Sequence, residues 1–128
     1  MLEDAKAFSG FSVKDMKAAK AFYEDTLGLS VKDGPMGLEL SLNGGQTTIF
    51  IYQKDDHQPA SYTMLNFSVK DIDATVDALT AKGVSFEHYE MAHQDEKGIA
   101  RGIANHQGPD IAWFTDPSGN VISVLQES

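Results

Sequence analysis

Apolar and polar residues alternate along Phe8–Val13, which is typical of a strand with one buried face. Asp15 then suits the N-cap of a helix, and apolar residues recur at helical spacing as far as Gly28, a good residue for a left-handed helix end. Three short strands are predicted to follow, at Leu29–Lys32, Met36–Leu42 and Gln46–Tyr52. Asn43-Gly44-Gly45 separates the last two, and it predicts a hairpin because Asn and Gly tolerate positive φ. The first half is therefore predicted to be β-α-β-β-β.

The second half repeats this order. The sequence Phe-Ser-Val-Lys-Asp occurs at Phe11–Asp15 and again at Phe67–Asp71, almost half a chain later. The glycines that end the two predicted helices, Gly28 and Gly83, are one position closer together than the two copies, so the second helical segment is one residue shorter. Strands are predicted at Tyr62–Val69, Val84–Tyr89, Ile111–Thr115 and Val121–Gln126, with a tight turn at Asp116–Asn120. A repeat of this length predicts one supersecondary unit built twice.

The chain of 128 residues is expected to form a single domain of two modules, residues 8–53 and 62–126, joined by a polar linker at 54–61. Either module alone would be marginally stable, so the modules must share a core or pair with a partner. The departure from symmetry is Glu90–Asp110, a segment without clear periodicity. Loops as long as this one, which has about twenty residues, are usually functional or mobile.

Composition argues against several classes of partner and chemistry. The net charge of −9 argues against nucleic acid and anionic membranes as partners. The chain has no cysteine, which excludes disulfides and thiolate chemistry, and no apolar run long enough to cross a bilayer. A cytoplasmic location is expected. No Ser-His-Asp arrangement, phosphate-binding glycine loop or paired carboxylates is recognisable.

The duplicated β-α-β-β-β order, the Asp-capped helix ending in Leu-Gly-Leu and the late Asp-Pro-Ser-Gly-Asn turn resemble the vicinal oxygen chelate superfamily. This family includes glyoxalase I, extradiol dioxygenases, fosfomycin-resistance enzymes and bleomycin-resistance proteins. The resemblance implies an α+β fold in which two modules of curved mixed sheets form half-barrels with the helices outside. It further implies a ligand-binding cup in each half-barrel, a divalent metal in the enzymes, and a homodimer.

The positions of the family's metal ligands can be located in this chain. One usually lies seven residues before the Asp that caps each helix, at Phe8 and Met64 here, and another lies three residues after the Asn of the late turn, at Ser123. Aligning the two halves places Ile49 opposite Ser123. None of these side chains offers the imidazole or carboxylate that such an ion requires. The resemblance is therefore closer to the bleomycin-resistance branch, with no metal and no other cofactor.

The remaining candidates are ligand contacts. Trp113 and Tyr62 are expected to line an apolar cup with Phe8 and Met64, and Asn66 shares the inward strand face with Met64. Arg101, the only arginine, could bind an anionic group through its planar fork, or pair with a nearby acid. His57 is interpreted as a linker residue. His88, His93 and His106 match no recognisable metal-ligand spacing.

These patterns favour a metal-free protein that binds or sequesters a small aromatic or anionic organic ligand. Two alternatives stay open: a metal-dependent lyase, isomerase or dioxygenase with ligands from the 90–110 segment, and a dimeric scaffold with a vestigial pocket. Whether the protein is an enzyme is left undecided by the sequence, as are any catalytic residues.

Overall fold

A computed structural model describes all 128 residues and divides them into two compact units, Met1–Gln58 and Pro59–Ser128. Unit 1 contains four strands and one helix: β1 (Ser9–Val13), α1 (Met16–Ala21), β2 (Ser30–Asp33), β3 (Leu38–Leu42) and β4 (Thr47–Gln53). Unit 2 contains β5 (Thr63–Ser68), α2 (Ile72–Ala81), β6 (Ala100–Arg101), β7 (Asp110–Thr115) and β8 (Val121–Gln126). The predicted α+β class with two modules is confirmed.

Sheet 1, the sheet of unit 1, has the strand order β1-β4-β3-β2. The β1–β4 pair is parallel and the other two pairs are antiparallel. Sheet 2, the sheet of unit 2, has the matching order β5-β8-β7-β6, with β5–β8 parallel. Both sheets are mixed and neither closes into a barrel. Neither α1 nor α2 has the length and apolar character of a membrane-spanning helix.

The helix starts follow from the predicted caps. The Asp15 side chain accepts a hydrogen bond from the amide of Ala18 at 3.1 Å, and the Asp71 side chain accepts one from the amide of Ala74 at 3.0 Å. Each carboxylate satisfies an amide that has no partner within its own helix. Gly28 ends the first helical segment with φ of 70°. The predicted caps are confirmed.

The extra residue of the first helical segment is absorbed by a π-helical turn, Phe22–Thr26, that continues α1. Leu27 donates its amide hydrogen to the carbonyl of Phe22, five residues earlier, at 2.9 Å. A single π turn holds one more residue than an α turn without displacing the flanking helix. This turn explains why the distance along the chain from helix cap to terminal glycine is one residue longer from Asp15 to Gly28 than from Asp71 to Gly83.

The predicted turns form where glycine and asparagine permit them. Asn43, Gly44 and Gly45 all have positive φ, at 51°, 67° and 89°, in the connection between β3 and β4. In the β7–β8 connection, the buried Asp116 carboxylate accepts the amides of Ser118 at 2.8 Å and Asn120 at 2.9 Å. These local bonds fix both reversals.

One predicted strand of unit 2 is wrong. Val84–Tyr89 forms no ladder, and its backbone bond to the sheet runs from the amide of Glu87 to the carbonyl of Trp113 at 2.8 Å. The edge position is taken instead by β6, from inside the 90–110 segment, which pairs with Asp110 and Ile111. The alternation that predicts a strand cannot report which of two nearby segments pairs with β7.

Candidate functional site

Each sheet has one face covered by its own helix and one opposite face, which we call the open face. In sheet 1 the helix face carries the buried Ile49 and Ile51, and Phe11, the register partner of Ile51, contacts Tyr23 of the π turn with ring centroids 5.8 Å apart. Since side chains alternate along a strand, Gly10, Ser12 and their partners on β4 lie on the open face.

The position predicted at Ile49 is corrected by the register. Gly10 pairs with Phe50 in sheet 1, and Asn66, which is equivalent to Gly10 in the repeat, pairs with Ser123 in sheet 2. Phe50 therefore occupies the position equivalent to Ser123, while Ile49 lies on the helix face and is 4% exposed. The residue equivalent to Ser123 lies one position after Ile49, and a shift of one residue moves a side chain to the other face of a strand.

The open face of sheet 1 carries a stacked aromatic pair. The rings of Phe50 and Tyr52 have centroids 5.9 Å apart and an interplanar angle of 18°. Ser12, the register partner of Tyr52, lies 2.6 Å from Nδ1 of His57 through its hydroxyl oxygen. His57 thus contacts the site through Ser12, in contrast to the prediction of a simple linker residue. Phe8 precedes β1 and is 73% exposed.

The open face of sheet 2 has a similar combination of groups. Ser123 is fully buried, and its hydroxyl donates to Oδ1 of Asn66 at 2.5 Å. Its register partner on β7 is Trp113, whose ring meets Tyr89 edge-on with centroids 5.4 Å apart. Partial burial, assisted by the charge of Glu87, raises the pKa of Tyr89. The structure thus places three of the predicted ligand contacts, Asn66, Trp113 and Ser123, on the same face of sheet 2.

Met64 lies at a β-bulge. Thr63 pairs with Val121 and Leu65 with the next residue, Ile122, so Met64 is the additional residue of β5. A bulge interrupts the alternation on which the predicted inward orientation of Met64 was based. Tyr62, a further predicted lining residue, precedes β5 and is largely exposed.

Arg101 lies on the other side of sheet 2. It pairs with Asp110, the register partner of Gln126, and Gln126 accepts the first amide of α2, so these residues belong to the helix face. The guanidinium donates to both carboxylate oxygens of Asp73 at 2.9 and 2.8 Å and to Asp95 at 3.1 Å. These bonds hold the pKa of Asp73 well below its usual range. This corrects the prediction that Arg101 lies with the other ligand contacts. Asp73 of α2 is the acid that binds both terminal nitrogens of its guanidinium.

The side chains at the family's metal-ligand positions do not fit a divalent ion. Phe8, Met64, Ser123 and the corrected Phe50 offer two aromatic rings, a thioether and a hydroxyl, none of which is a strong ligand for such ions. No group of three His, Asp or Glu side chains in the structure is arranged to hold a metal. His88, His93 and His106 of the second half are all exposed and are not brought together.

The duplicated sheets with aromatic and polar groups on their open faces define a class of α+β proteins built from paired βαβββ modules. Residues 8–124 match the Glyoxalase/Bleomycin resistance protein/Dioxygenase superfamily, and the chain belongs to this family.

The comparisons include a curated relative and several solved structures. The uncharacterized protein YraH of Bacillus subtilis (strain 168) is 29% identical over 128 residues, covering 89% of this chain and 91% of that protein. TnmS3, an antibiotic binding protein from Streptomyces sp. CB03234, superimposes with a TM-score of 0.67 at 26% identity, covering 98% of both chains. The fosfomycin resistance protein FosX from Listeria monocytogenes superimposes with a TM-score of 0.68 at 16% identity, covering 98% of this chain and 94% of its own. The FosX match bears on the fold alone.

Three features of the open faces escaped sequence reasoning. The sequence pattern predicts Phe50, Tyr52 and Tyr89 only as strand residues. Strand alternation does place Phe50 and Tyr52 on one face, but only the β1–β4 register shows that this is the face of Ser12. The Ser12–His57 contact joins residues 45 positions apart, and no local pattern predicts it.

Proposed function

We propose that this protein binds small planar organic molecules on the open faces of its sheets, without a metal ion. The function is binding or sequestration, and the ligand is retained by ring stacking and a few hydrogen bonds. This is a small-molecule role within the superfamily to which the chain belongs.

The stacked pair of Phe50 and Tyr52 carries the proposal. Tyr52 is 37% exposed and Phe50 is half-buried, so part of the pair is accessible to a ligand. Exposed aromatic surface costs free energy in water, and offset stacking of a further ring on such a pair contributes about 0.5–1.5 kcal/mol beyond area burial. An aromatic or conjugated ligand is therefore the chemical class that this face favours.

Polar groups beside each aromatic pair support orientation of the ligand. In sheet 2, Asn66 is hydrogen-bonded to Ser123, whose register partner is Trp113. In sheet 1, Ser12 contacts His57, and the register partner of Ser12 is Tyr52. Small-molecule sites generally combine an apolar lining with a few such groups. The likeness to TnmS3, which is described as an antibiotic binding protein, supports the same class of function.

The test is binding of 2-naphthol, a neutral planar probe, followed by two-dimensional 1H–15N NMR. We expect saturable shifts at residues of the open faces. Phe50→Ala and Trp113→Leu should each weaken binding to the altered face by about threefold to tenfold, because each removes one aromatic contact. Met36→Ala, at an exposed apolar residue outside the strands, is the matched control and should have no effect.

Two results would contradict the proposal. One is equal binding of 2-naphthol by Phe50→Ala, Trp113→Leu and Met36→Ala. The other is a stoichiometric transition metal in protein purified without chelator, which would favour the metal-dependent alternative instead. Native mass spectrometry of the same preparation would also identify a co-purified ligand.

The proposed assembly is a homodimer, as the family resemblance implies, and sedimentation as a clean monomer would remove this part of the proposal. The cytoplasmic location stays a prediction.

A further inference from the structure

A groove of about 420 Å³ lies in unit 2 between α2 and the segment Val84–His88. Its floor is apolar and is formed by Val76, Val84 and Phe86, of which the first two are buried. None of the residues that line it belongs to the open face of sheet 2. The volume is within the range of about 300–1,000 Å³ that is usual for small-molecule sites.

The walls of the groove are fixed by hydrogen bonds within unit 2. The Gln94 side-chain amide donates to the carbonyl oxygens of Glu87 at 2.7 Å and Gly98 at 2.6 Å, and it accepts the amide of Tyr89 at 2.6 Å. These bonds tie the Val84–His88 wall to the segment that contributes Glu96 and Lys97. The groove therefore needs no ordering step before a ligand enters, and less binding free energy is lost.

Lys97 closes one end of the groove against α2. Its ammonium pairs with Asp77 at 2.9 Å and with Asp73 at 3.1 Å, and both contacts, Asp77 first, raise the pKa of Lys97. Lys97 is thus already neutralised by α2 and is not available to attract an anion.

Four polar side chains that line the groove make no hydrogen bond or ion pair in the structure: Thr80, Ser85, His88 and Glu96. Among the charged side chains that line the groove, the carboxylates of Asp77 and Glu96 outnumber the ammonium of Lys97. Glu96 is the carboxylate of this set without a cation. The local charge therefore favours a positively charged ligand.

The equivalent cleft of unit 1 contains an ion pair, whereas the unit 2 groove has apolar and unpaired side chains at the same positions. The unit 1 cleft is lined by Lys20 and Asp33, whose charged atoms are 2.7 Å apart. The repeat relates Lys20, which precedes the π turn, to Val76, and it relates Asp33, which follows that turn, to His88. Unit 2 has thus replaced an ion pair with an apolar floor and an unpaired imidazole.

We propose that the unit 2 groove binds a small organic cation, with an apolar ring on Val76, Val84 and Phe86 and an ammonium group at Glu96. The hydroxyls of Thr80 and Ser85 line the same groove and are the further hydrogen-bond acceptors that it offers. This site is separate from the open faces and would take a different class of ligand.

The test uses benzylamine as the probe and benzyl alcohol as its neutral counterpart, with both titrations followed by 1H–15N NMR of the whole chain. We expect benzylamine to shift the amides of Thr80, Val84 and Glu96 and to bind more tightly than benzyl alcohol. Glu96→Gln should weaken benzylamine binding by about twofold to fivefold, as expected for an exposed charge pair. The same variant should leave benzyl alcohol binding unchanged.

Two further variants keep the test decisive. Ser85→Phe, at an exposed wall position, fills the groove without altering the core and should abolish the shifts of Thr80, Val84 and Glu96 in both titrations. Glu24→Gln, in the unit 1 cleft, is the matched control and should bind benzylamine like the parent protein.

The proposal is overturned if benzylamine and benzyl alcohol shift the amides of Thr80, Val84 and Glu96 with equal affinity, if Glu96→Gln or Ser85→Phe leaves the benzylamine shifts of these amides as in the parent protein, or if Phe50→Ala weakens them. The last result would place the amine on an open face. If the parent protein binds benzylamine in the groove but does not bind 2-naphthol, only the proposed function of the open faces is contradicted.

Discussion

Replacing Arg101 by Met tests whether this guanidinium holds unit 2 together. The substitution removes the two-point contact with Asp73 and the contact with Asp95, while it retains the apolar stem. It also leaves three carboxylates facing one another, since Asp110 lies 3.7 Å from the same guanidinium and is only 13% exposed. The expected consequence is a loss of stability with no direct effect on an open-face ligand.

The magnitude follows from the exposure of the partners. A hydrogen bond to a charged group contributes about 1.5–3 kcal/mol, but the side chains of Arg101 and Asp73 are 35% and 47% exposed, so water screens part of this. Allowing about 1 kcal/mol for each of the two carboxylate partners, we expect a loss of about 2 kcal/mol at neutral pH. For a chain of this length that corresponds to a fall in Tm of about 8 °C.

The pH dependence provides a second readout. Arg101 lowers the pKa of Asp73, and the pKa of Asp95 is also lowered, because the opposing effect of its burial is outweighed by bonds from the Ile99 amide and Arg101. A carboxyl group with a depressed pKa stabilises the fold above its unfolded pKa of about 3.9, and this contribution falls as the pH drops toward the folded value. The difference between parent and Arg101→Met should therefore be constant near neutrality and shrink below about pH 4.

Urea denaturation at pH 7 and pH 3 measures both effects. Lys54→Met is the control, because Lys54 pairs with Asp56 at 3.2 Å on an open surface, where water screens the pair and its loss should hardly change the stability. A loss in Arg101→Met as small as that of Lys54→Met, or one equally large at both pH values, would refute this role for Arg101. Arg101→Lys should recover less than half of the stability, since an ammonium cannot reproduce the planar fork.

Three further predictions concern packing and metal. Ser123→Ala should destabilise the protein by about 1 kcal/mol in urea denaturation, because it removes the donor to Asn66 from a fully buried position; an unchanged midpoint would show that this bond is dispensable. Gly37→Ala should cost more than about 2 kcal/mol, since a Cβ there would collide with the Ile51 carbonyl oxygen, and soluble protein of parental Tm would contradict the close approach. Addition of EDTA should leave Tm unchanged, whereas a clear fall would indicate a stabilising metal.

Much of the fold was determined by the sequence itself. The repeated Phe-Ser-Val-Lys-Asp segment specified two similar modules, and Asp15 and Asp71 specified where their helices begin. Asn43 and its glycines specified a reversal with positive φ. Caps and turns are predictable because a side chain satisfies backbone groups only a few residues away.

The placement of side chains on sheet faces was decided only by the tertiary structure. Whether Ile49 or Phe50 shares a face with Gly10 depends on the register between β1 and β4, which are separated in the chain by α1, β2 and β3. The same holds for Arg101, whose fork is occupied by an acid from α2. Pairing between distant segments is fixed by the best joint burial and hydrogen bonding of the whole unit, and a one-residue change of register reverses every face.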